Sequence, residues 1–293
     1  MKKFQGVIPA LVTPLDQDES VRVDVLHELI EYFVQKNADG FYIGGATGEG
    51  LTLRREQRMI LAEESVRQVH GRVPCNVQVA ATDFGEAIEL AKHAEQIGAD
   101  AISATPPLFF QYDEHDVYQY YRSLAEAVHI PMMIYYNPAA GFTVNAEFAA
   151  KMFEVDNITA IKWTSSDYYG MMRLKDLTHG EMNILNGPDE MFLMGLGAGA
   201  DGGIGTTYNF QLERIQSIYR HFCQGDIEQA RREQLAADRV ISVLKNYAII
   251  PATKVILEHM GFEVGNATFP MKRYSAQEKQ AIVQEMKQAG LPL

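Results

Sequence analysis

One lysine in this sequence stands where a charged side chain should be costly. Residues 158–164 read ITAIKWT, the β-branched and apolar pattern of a buried strand, and Lys162 lies inside that pattern. In an apolar, partly dehydrated site the charged ammonium is disfavoured, so more of the amine is the neutral nucleophile that forms a Schiff base with a ketone. The other interpretation is a lysine at a strand end whose head group reaches back to water. Its position alone leaves both interpretations open.

A second candidate for chemistry is a tyrosine pair at the end of residues 131–137, PMMIYYN. Side chains alternate along a strand, so Tyr135 and Tyr136 point to opposite faces, and only one of them can face the axis of the barrel that the strand pattern predicts below. A phenol beside the amine can carry the proton that is exchanged when a carbinolamine collapses to an imine. Packing of both rings at a strand end is the alternative.

A third candidate is the loop GGATGEG at residues 44–50. Its small residues would let backbone N–H groups approach a ligand, and Thr47 adds a hydroxyl, so the loop has the chemistry to bind a carboxylate. A glycine-rich turn leading into the next helix is the alternative.

Other motifs point away from metals and dinucleotides. The segment GLGAGA at 195–200 matches a dinucleotide fingerprint in its letters, but it follows a helical pattern and precedes a strand, the reverse of the required order. The eight histidines show no metal-binding spacing. The acidic run DEHD at 113–116 is predicted to begin a helix, where negative charge complements the helix dipole. The sequence therefore predicts no metal site and no dinucleotide cofactor.

Short apolar runs alternate with helical patterns as far as about residue 210. Continuous apolar character is typical of strands that are covered on both faces. Eight such strands, each followed by a helix, predict an eight-stranded β/α (TIM) barrel over residues 1–210, with a doubly wound sheet as the alternative. Residues 211–293 predict a helical extension of three helices packed on the barrel. The predicted strands lie within 6–14, 40–45, 76–81, 101–107, 131–137, 158–164, 183–189 and 201–207.

Composition excludes several classes of partner. The chain has 26 basic and 38 acidic residues, a formal charge of -12, which argues against a nucleic-acid surface. Cys75 and Cys223 lie far apart, so no disulfide framework is predicted and a reducing cytoplasm is the expected location. The N-terminal apolar run is broken by Pro9 and Pro14 and is interpreted as a strand. The sequence nowhere approaches the roughly 18 apolar residues of a membrane helix, so a soluble protein is expected.

Barrel enzymes carry their active sites at the C-terminal ends of the strands, which would bring the candidates above together. Four segments, taken together, resemble the pyruvate-dependent class I aldolases, the family that includes N-acetylneuraminate lyase and dihydrodipicolinate synthase. The resemblance covers essentially the whole barrel. The segments are GGATGEG at 44–50, YYNPAAG at 135–141, IKWT at 161–164 and NGPDEMFLMGLGAGADGGIGTTYN at 186–209.

The resemblance implies roles for individual residues. Lys162 would form the imine, Tyr136 would be the proton-handling phenol, and the pyruvyl carboxylate would bind at Ala46 and Thr47. The late segment is similar to the sialic acid lyases, in which an Asp-Glu pair and a hydroxyl residue bind the polyol chain of the sugar, and two carboxylates supply four acceptor oxygens for hydroxyl groups. The substrate-binding residues implied in this way also include Thr164, Gly187, Asp189, Glu190, Gly205 and Thr206. The family further implies a small 2-keto acid substrate, no cofactor beyond the covalent imine through Lys162, and a homotetramer.

Several positions depart from the family pattern. Ala46 replaces a Ser or Thr of the usual proton relay, and Leu108 replaces a tyrosine that neighbouring subunits exchange in relatives. Pro138 follows Asn137 directly, and the segment YNPAAGFT lacks the arginine of the synthases. The predicted activity is cleavage of N-acetylneuraminate or a similar sugar 2-keto acid to pyruvate and an aldehyde sugar. The alternatives are an aldolase for a shorter 2-keto-3-deoxy acid, a synthase-like condensation, and a non-catalytic sugar-acid sensor.

Overall fold

The computed structural model describes residues 4–293, so residues 1–3 of the predicted barrel segment lie outside the described residues. Eight strands alternate with eight helices, and three more helices follow. The strands are β1 Gly6–Pro9, β2 Phe41–Ile43, β3 Cys75–Gln78, β4 Ala101–Ala104, β5 Met132–Tyr136, β6 Ile158–Trp163, β7 Asn183–Asn186 and β8 Gly202–Gly205. The helices are α1 Val23–Gln35, α2 Arg55–Val69, α3 Phe84–Gln96, α4 Glu114–Glu126, α5 Ala146–Phe153, α6 Tyr168–Leu177, α7 Phe192–Gly197, α8 Tyr208–Cys223, α9 Ile227–Leu244, α10 Ile249–His259 and α11 Ala276–Gln288.

The strands form a ring. All paired strands are parallel, in the order β1, β8, β7, β6, β5, β4, β3, β2. The two ends of this order meet through a parallel bridge between Ala10 and Tyr42, where the Leu11 N–H donates to the Tyr42 carbonyl at 3.0 Å. The predicted TIM barrel is therefore confirmed, and the doubly wound sheet is wrong because such a sheet has two open edges.

Buried side chains lie on both faces of the ring of strands. One buried cluster lies inside the barrel, and a larger one lies between the strands and the helices. This division follows from the two-residue period of a strand. The interior cluster consists of Phe4, Ile8, Ala10, Tyr42, Ala101, Met133, Tyr135, Ala160, Leu185 and Ile204. Lys162 lies two residues after Ala160 on β6, so its side chain is on the interior face.

Three αβ turns with similar sequences join neighbouring strands at the N-terminal face of the barrel. The turns NADG, GADA and GADG precede β2, β4 and β8. In each of them the aspartate accepts a hydrogen bond from a backbone N–H of the preceding strand in the chain, which is its neighbour in the ring. The pairs, with their N···O distances, are Asp39 with Val7 at 2.8 Å, Asp100 with Cys75 at 2.9 Å, and Asp201 with Ile184 at 2.9 Å. These carboxylates satisfy N–H groups at the strand entrances.

The predicted helix start at DEHD is confirmed. Asp113 is the N-cap of α4 and accepts a hydrogen bond from the Asp116 N–H at 2.9 Å, while the Asp116 side chain accepts one from the Asp113 N–H. This reciprocal arrangement is a capping box, which satisfies backbone donors that have no partner within the helix. The acidic run is therefore part of a helix terminus.

Three helices follow the barrel helix α8, as predicted. The expected boundary at residue 210 falls inside α8, which packs against α9. The helices α10 and α11 pack on each other, and with α8 and α9 they surround a small core that includes Phe210, Val240 and Ile282. None of the described helices by itself has the length and apolar composition to cross a membrane; only α9 and α10 taken together meet that test, and they are bent by 111°.

Candidate active site

The lysine predicted to do chemistry lies near the C-terminal end of β6, inside the barrel. Lys162 pairs with Tyr135 of β5 and Leu185 of β7 in the strand register, and only 6% of it is exposed. No carboxylate of the described residues lies within 4 Å of its nitrogen. The nitrogen instead faces two aromatic rings, 4.4 Å from the centre of the Tyr135 ring and 4.7 Å from that of Tyr42. Its side chain is thus buried in the barrel, rather than extended into water.

The tyrosine pair divides as strand alternation requires. Tyr135 belongs to the interior cluster and faces Lys162, and its ring meets that of Tyr42 edge-on at 6.0 Å. Tyr136 packs in the outer cluster, 4.9 Å from the Trp163 ring. Burial raises the pKa of the Tyr136 phenol and the Asp167 carboxylate adds to this increase, whereas a hydrogen bond with Ser165 lowers it. The phenol therefore lies beside the loop that follows β6, three residues beyond Lys162.

The glycine-rich loop after β2 brings a hydroxyl next to β8. The hydroxyls of Thr47 and Thr206 are hydrogen-bonded at 2.7 Å, and Thr47 is buried. The loop folds back sharply, because a Cβ on Gly50 would lie 1.9 Å from the Gly44 carbonyl oxygen. Ala46, at the tip of this loop, is exposed. Two predicted ligand residues from opposite ends of the barrel sequence are thus in contact.

The same loop is anchored by a buried ion pair that the sequence did not predict. Glu49 adopts a left-handed backbone conformation, with a φ of 58°. Its carboxylate lies 2.6 Å from the Lys254 nitrogen of α10 and accepts a hydrogen bond from the Thr268 N–H, also at 2.6 Å. Lys254 also donates to the Asn266 carbonyl at 2.9 Å. Burial lowers the pKa of Lys254, and the Glu49 charge opposes that decrease. The C-terminal extension therefore holds the predicted carboxylate-binding loop.

Asp189, in the 3₁₀ turn after β7, is a buried carboxyl near the predicted imine site. One of its oxygens accepts hydrogen bonds from the Thr207 N–H and hydroxyl, both at 2.7 Å. A Cβ on Gly205 would lie 2.2 Å from its other oxygen, so a glycine is needed there. Burial raises the pKa of Asp189 to about 6, and the charge of Lys162 partly offsets this increase. Such a perturbed carboxyl is typical of a functional site.

The remaining predicted residues lie around the ends of β6 and β7. Gly187 packs closely against Thr164: a Cβ on Gly187 would lie 2.1 Å from the Thr164 hydroxyl oxygen. That hydroxyl is buried without a hydrogen-bond partner. Glu190 is half-buried and accepts a hydrogen bond at 2.5 Å from Lys245, the residue that caps the C-terminus of α9. Every predicted site residue therefore lies on a strand end or βα loop at the C-terminal face of the barrel.

Sequence reasoning missed several residues that shape this face. Tyr42 precedes the glycine-rich loop in a strand whose sequence indicates only a buried core. Lys245 lies at the end of a helix with many other charged residues, so its sequence gives no signal. A signal for Lys254 did exist, because residues three positions away on either side, Pro251 and Leu257, are apolar and buried. A lysine within the apolar stripe of a helix points to a buried partner.

A separate cavity of about 660 Å³ lies at the rim, between the loop after β1 and the segment that joins α10 to α11. Its lining includes Arg22, Glu258, Glu263 and Lys279, and these charges pair with each other: Arg22 with Glu263 at 3.1 Å and Lys279 with Glu258 at 2.6 Å. None of the predicted site residues lines this cavity.

A closed β/α barrel with a buried lysine at the end of β6 is the arrangement that the resemblance implied for a lysine-dependent aldolase. The chain belongs to the dihydrodipicolinate synthetase family, whose sequence profile matches residues 3–289.

Individual relatives carry a narrower name. The chain is 33% identical over 273 residues to the N-acetylneuraminate lyase of Rhizobium meliloti, covering 92% of this chain and 90% of that protein. It is 34% identical over 262 residues to N-acetylneuraminate lyase 2 of an Escherichia coli O6:H1 strain, covering 88% and 85%. Among solved structures, the Proteus mirabilis N-acetylneuraminate lyase superposes with a TM-score of 0.95 at 27% identity, covering 99% of this chain and 100% of that one.

Proposed function

We propose that this protein is a carbon–carbon lyase that cleaves N-acetylneuraminate, or a closely similar sugar 2-keto acid, through a Schiff base on Lys162. The single observation that carries the proposal is the state of that lysine. Its nitrogen is buried at the C-terminal end of a barrel strand with no carboxylate of the described residues within 4 Å, so no ion pair holds it away from a ketone. The lyase names of the relatives support the choice of substrate.

The proposed reaction begins with attack of the neutral Lys162 amine on the C2 ketone. With the uptake of one proton, the carbonyl oxygen leaves as water and the nitrogen remains as a protonated imine. The C4 hydroxyl then loses a proton as the C3–C4 bond breaks, and the bonding electrons move into the imine to give an enamine. The aldehyde sugar leaves, C3 is reprotonated, and hydrolysis releases pyruvate and the free amine. No other cofactor is needed in this scheme.

Further roles follow the family pattern. The resemblance implies that Tyr136 carries protons during imine formation. Its ring packs in the outer cluster, however, whereas the Tyr135 ring faces the Lys162 nitrogen at 4.4 Å, so Tyr135 would take this role.

Ala46 and Thr47 would bind the pyruvyl carboxylate, and the Thr206 hydroxyl, which contacts that of Thr47 at 2.7 Å, would bind a hydroxyl of the substrate. Asp189 and Glu190 would accept hydrogen bonds from the polyol chain.

We further propose a homotetramer in the cytoplasm. The family resemblance supports the tetramer. Support for the compartment comes from the two cysteines, which are both free.

The test is borohydride reduction in the presence of pyruvate, followed by peptide mass spectrometry. We expect a pyruvyl adduct on Lys162 in the wild-type protein and none in Lys162→Arg, which keeps the charge but lacks a nucleophilic amine. Turnover of N-acetylneuraminate, measured as released pyruvate, completes the test. A folded protein with no adduct would overturn the proposal in favour of a non-catalytic sugar-acid sensor. An adduct without N-acetylneuraminate turnover would instead indicate a shorter 2-keto-3-deoxy acid as substrate.

A further inference from the structure

We propose that Lys245 is a positioning residue, which holds the Glu190 carboxylate where it accepts hydrogen bonds from the polyol chain of the substrate. It thereby favours substrates with such a chain over shorter 2-keto acids. This inference rests on the proposed function, which assigns Glu190 to the polyol chain and gives Lys245 no role. The Lys245 nitrogen lies 2.5 Å from one Glu190 oxygen, although the two residues are 55 positions apart in the chain.

Neighbouring charges connect Lys245 to the imine site. Burial raises the pKa of Asp189, and among the nearby charges Lys162 lowers that pKa whereas Glu190 raises it. Asp189 is therefore close to both of these residues, and Glu190 is in turn paired with Lys245. A change at Lys245 can thus reach the substrate through Glu190, without any contact between Lys245 and the reacting atoms.

The helix α9 also holds the backbone of the 3₁₀ turn that carries Asp189 and Glu190. The buried Gln234 side chain of α9 donates a hydrogen bond to the Asp189 carbonyl at 3.1 Å and accepts one from the Leu193 N–H at 3.0 Å. Lys245 follows Gln234 by about three helical turns, so it lies on the same face of the helix. Gln234 therefore fixes the backbone of the turn, and Lys245 fixes the Glu190 side chain.

A further carboxylate gives the Lys245 cation a second effect. Asp238 of α9 is half-buried and accepts a hydrogen bond from Gln234 at 2.8 Å. Burial raises the pKa of Asp238 and the Glu190 charge adds to the increase, whereas the hydrogen bond from Gln234 and the Lys245 charge lower it. Asp238 is therefore close to the same ion pair. Since the proposed substrate is an anion, the cation reduces the repulsion that these carboxylates exert on it.

Stability alone does not account for the ion pair. The Lys245 side chain is 51% exposed and that of Glu190 is 36% exposed, and solvent screens pairs of this kind so that they stabilise a fold only weakly. The contact does fix a direction, because the ammonium occupies one carboxylate oxygen. No hydrogen bond from the described residues reaches the other oxygen, which is therefore available to hydroxyl donors of a substrate.

The first measurement is the KM for N-acetylneuraminate, followed as released pyruvate. We expect Lys245→Met to raise KM by about 10-fold, the scale of one hydrogen bond to a charged group, and to change kcat by less than about 3-fold, because the contact acts on binding. Lys245→Arg keeps a donor cation, so its KM should stay within about 3-fold of the wild-type value. Lys279→Met is the matched control. It removes an ion pair with Glu258 at 2.6 Å, beside the rim cavity that no predicted site residue lines, and should leave KM unchanged.

Two further measurements separate positioning from a structural role. Pyruvate has no polyol chain, so the pyruvate concentration that gives half-maximal borohydride adduct on Lys162 should not share the rise in KM. A general distortion of the site would raise both. In Glu190→Gln the lysine has no carboxylate to orient, so adding Lys245→Met there should raise KM by less than about 2-fold. A lysine that bound the sugar directly would instead raise KM equally in both backgrounds.

The outcomes distinguish this inference from the proposed function. Wild-type protein that forms no pyruvyl adduct, or that releases no pyruvate from N-acetylneuraminate, would overturn the proposed function and the role of Lys245 with it. Normal wild-type turnover with an unchanged KM in Lys245→Met, a parallel rise in the pyruvate needed for trapping, or an additive double variant would overturn the role of Lys245 alone. A raised KM that is absent in Lys245→Arg and in the Glu190→Gln background confirms it. Lys245→Gln replaces the methionine variant if that variant fails to fold.

Discussion

Lys162 and Lys254 are both almost fully buried, at 6% and 2% exposure, but their nitrogens meet different partners. Lys254 lies 2.6 Å from the Glu49 carboxylate and also donates to a backbone carbonyl. Lys162 faces two rings and has no carboxylate of the described residues within 4 Å. A buried charge that is paired holds structure together, whereas a buried charge left without an anion is poised for reaction. Burial alone therefore does not distinguish a structural lysine from a chemical one; the partner does.

The largest expected effect is the loss of lyase activity when Lys162 is replaced. Lys162→Met should lower lyase activity by at least about 10³-fold, because the nucleophile of the covalent step is lost. The free energy of unfolding should stay the same or rise, since a buried cation without an anionic partner is replaced by an apolar chain of similar volume. Pyruvate release and urea denaturation measure the two quantities. A strong loss of stability would mean that Lys162 has a structural partner.

Lys254→Met should show the opposite pattern. It leaves the Glu49 carboxylate buried without its cation, so the free energy of unfolding should fall by about 3–5 kcal/mol. Urea denaturation compares it with Lys175→Met, in which a less buried lysine loses its contact with Asp201 at 2.9 Å. A loss no larger than that of the control would contradict the assignment of Lys254 as a buried anchor.

The buried Asp189 carboxyl, near Lys162, predicts how the stability of the protein depends on pH. Its pKa is raised to about 6 from the ordinary value of 3.8, so between these values the folded state binds more protons than the unfolded state. Stability should therefore be highest below pH 3.8 as far as this group is concerned, and should fall by on the order of 3 kcal/mol as the pH rises through about 6. Denaturation at several pH values should show this decline in wild type and its absence in Asp189→Asn. An unchanged pH profile in the variant would contradict the prediction.

The smallest expected effect is the change in stability that measures the interaction between Glu49 and Lys254. Adding Glu49→Gln to Lys254→Met removes the orphaned charge, so the double variant should recover roughly 2 kcal/mol of the stability lost in the single variant. The two single variants and the double variant, measured by urea denaturation, complete a double-mutant cycle. Additive losses would show that the two side chains do not interact.

The barrel was predictable from the sequence because its signal is local. Each buried strand is a short apolar run, and the predicted runs contain the observed strands, apart from the first residue of β3. Strand alternation also showed that Tyr135 and Tyr136 must separate, but the pattern left open which of them faces the axis. That choice depends on the register between β5 and β6, which local sequence does not encode.

The contacts that complete the site were harder to predict from the sequence. Glu49 and Lys254 are separated by about two hundred residues, and Thr47 meets Thr206 only when the ring closes. Such pairs depend on the tertiary arrangement of the loops, whose sequences carry no periodicity. The resemblance supplied the residues of the site, and the structure supplied their neighbours.

The ion pair between Glu49 and Lys254 can form only late in the synthesis of the chain. The loop at 44–50 leaves the ribosome early, but the lysine and the backbone N–H that hold it belong to residues 254 and 268, close to the end of the chain. A nascent chain can therefore complete all eight strands and still lack the ion that fixes this loop. The loop would be fixed for carboxylate binding only after the last helices are made. A chain that ends before α10 would therefore have the barrel but not the ion pair that holds its loop at 44–50.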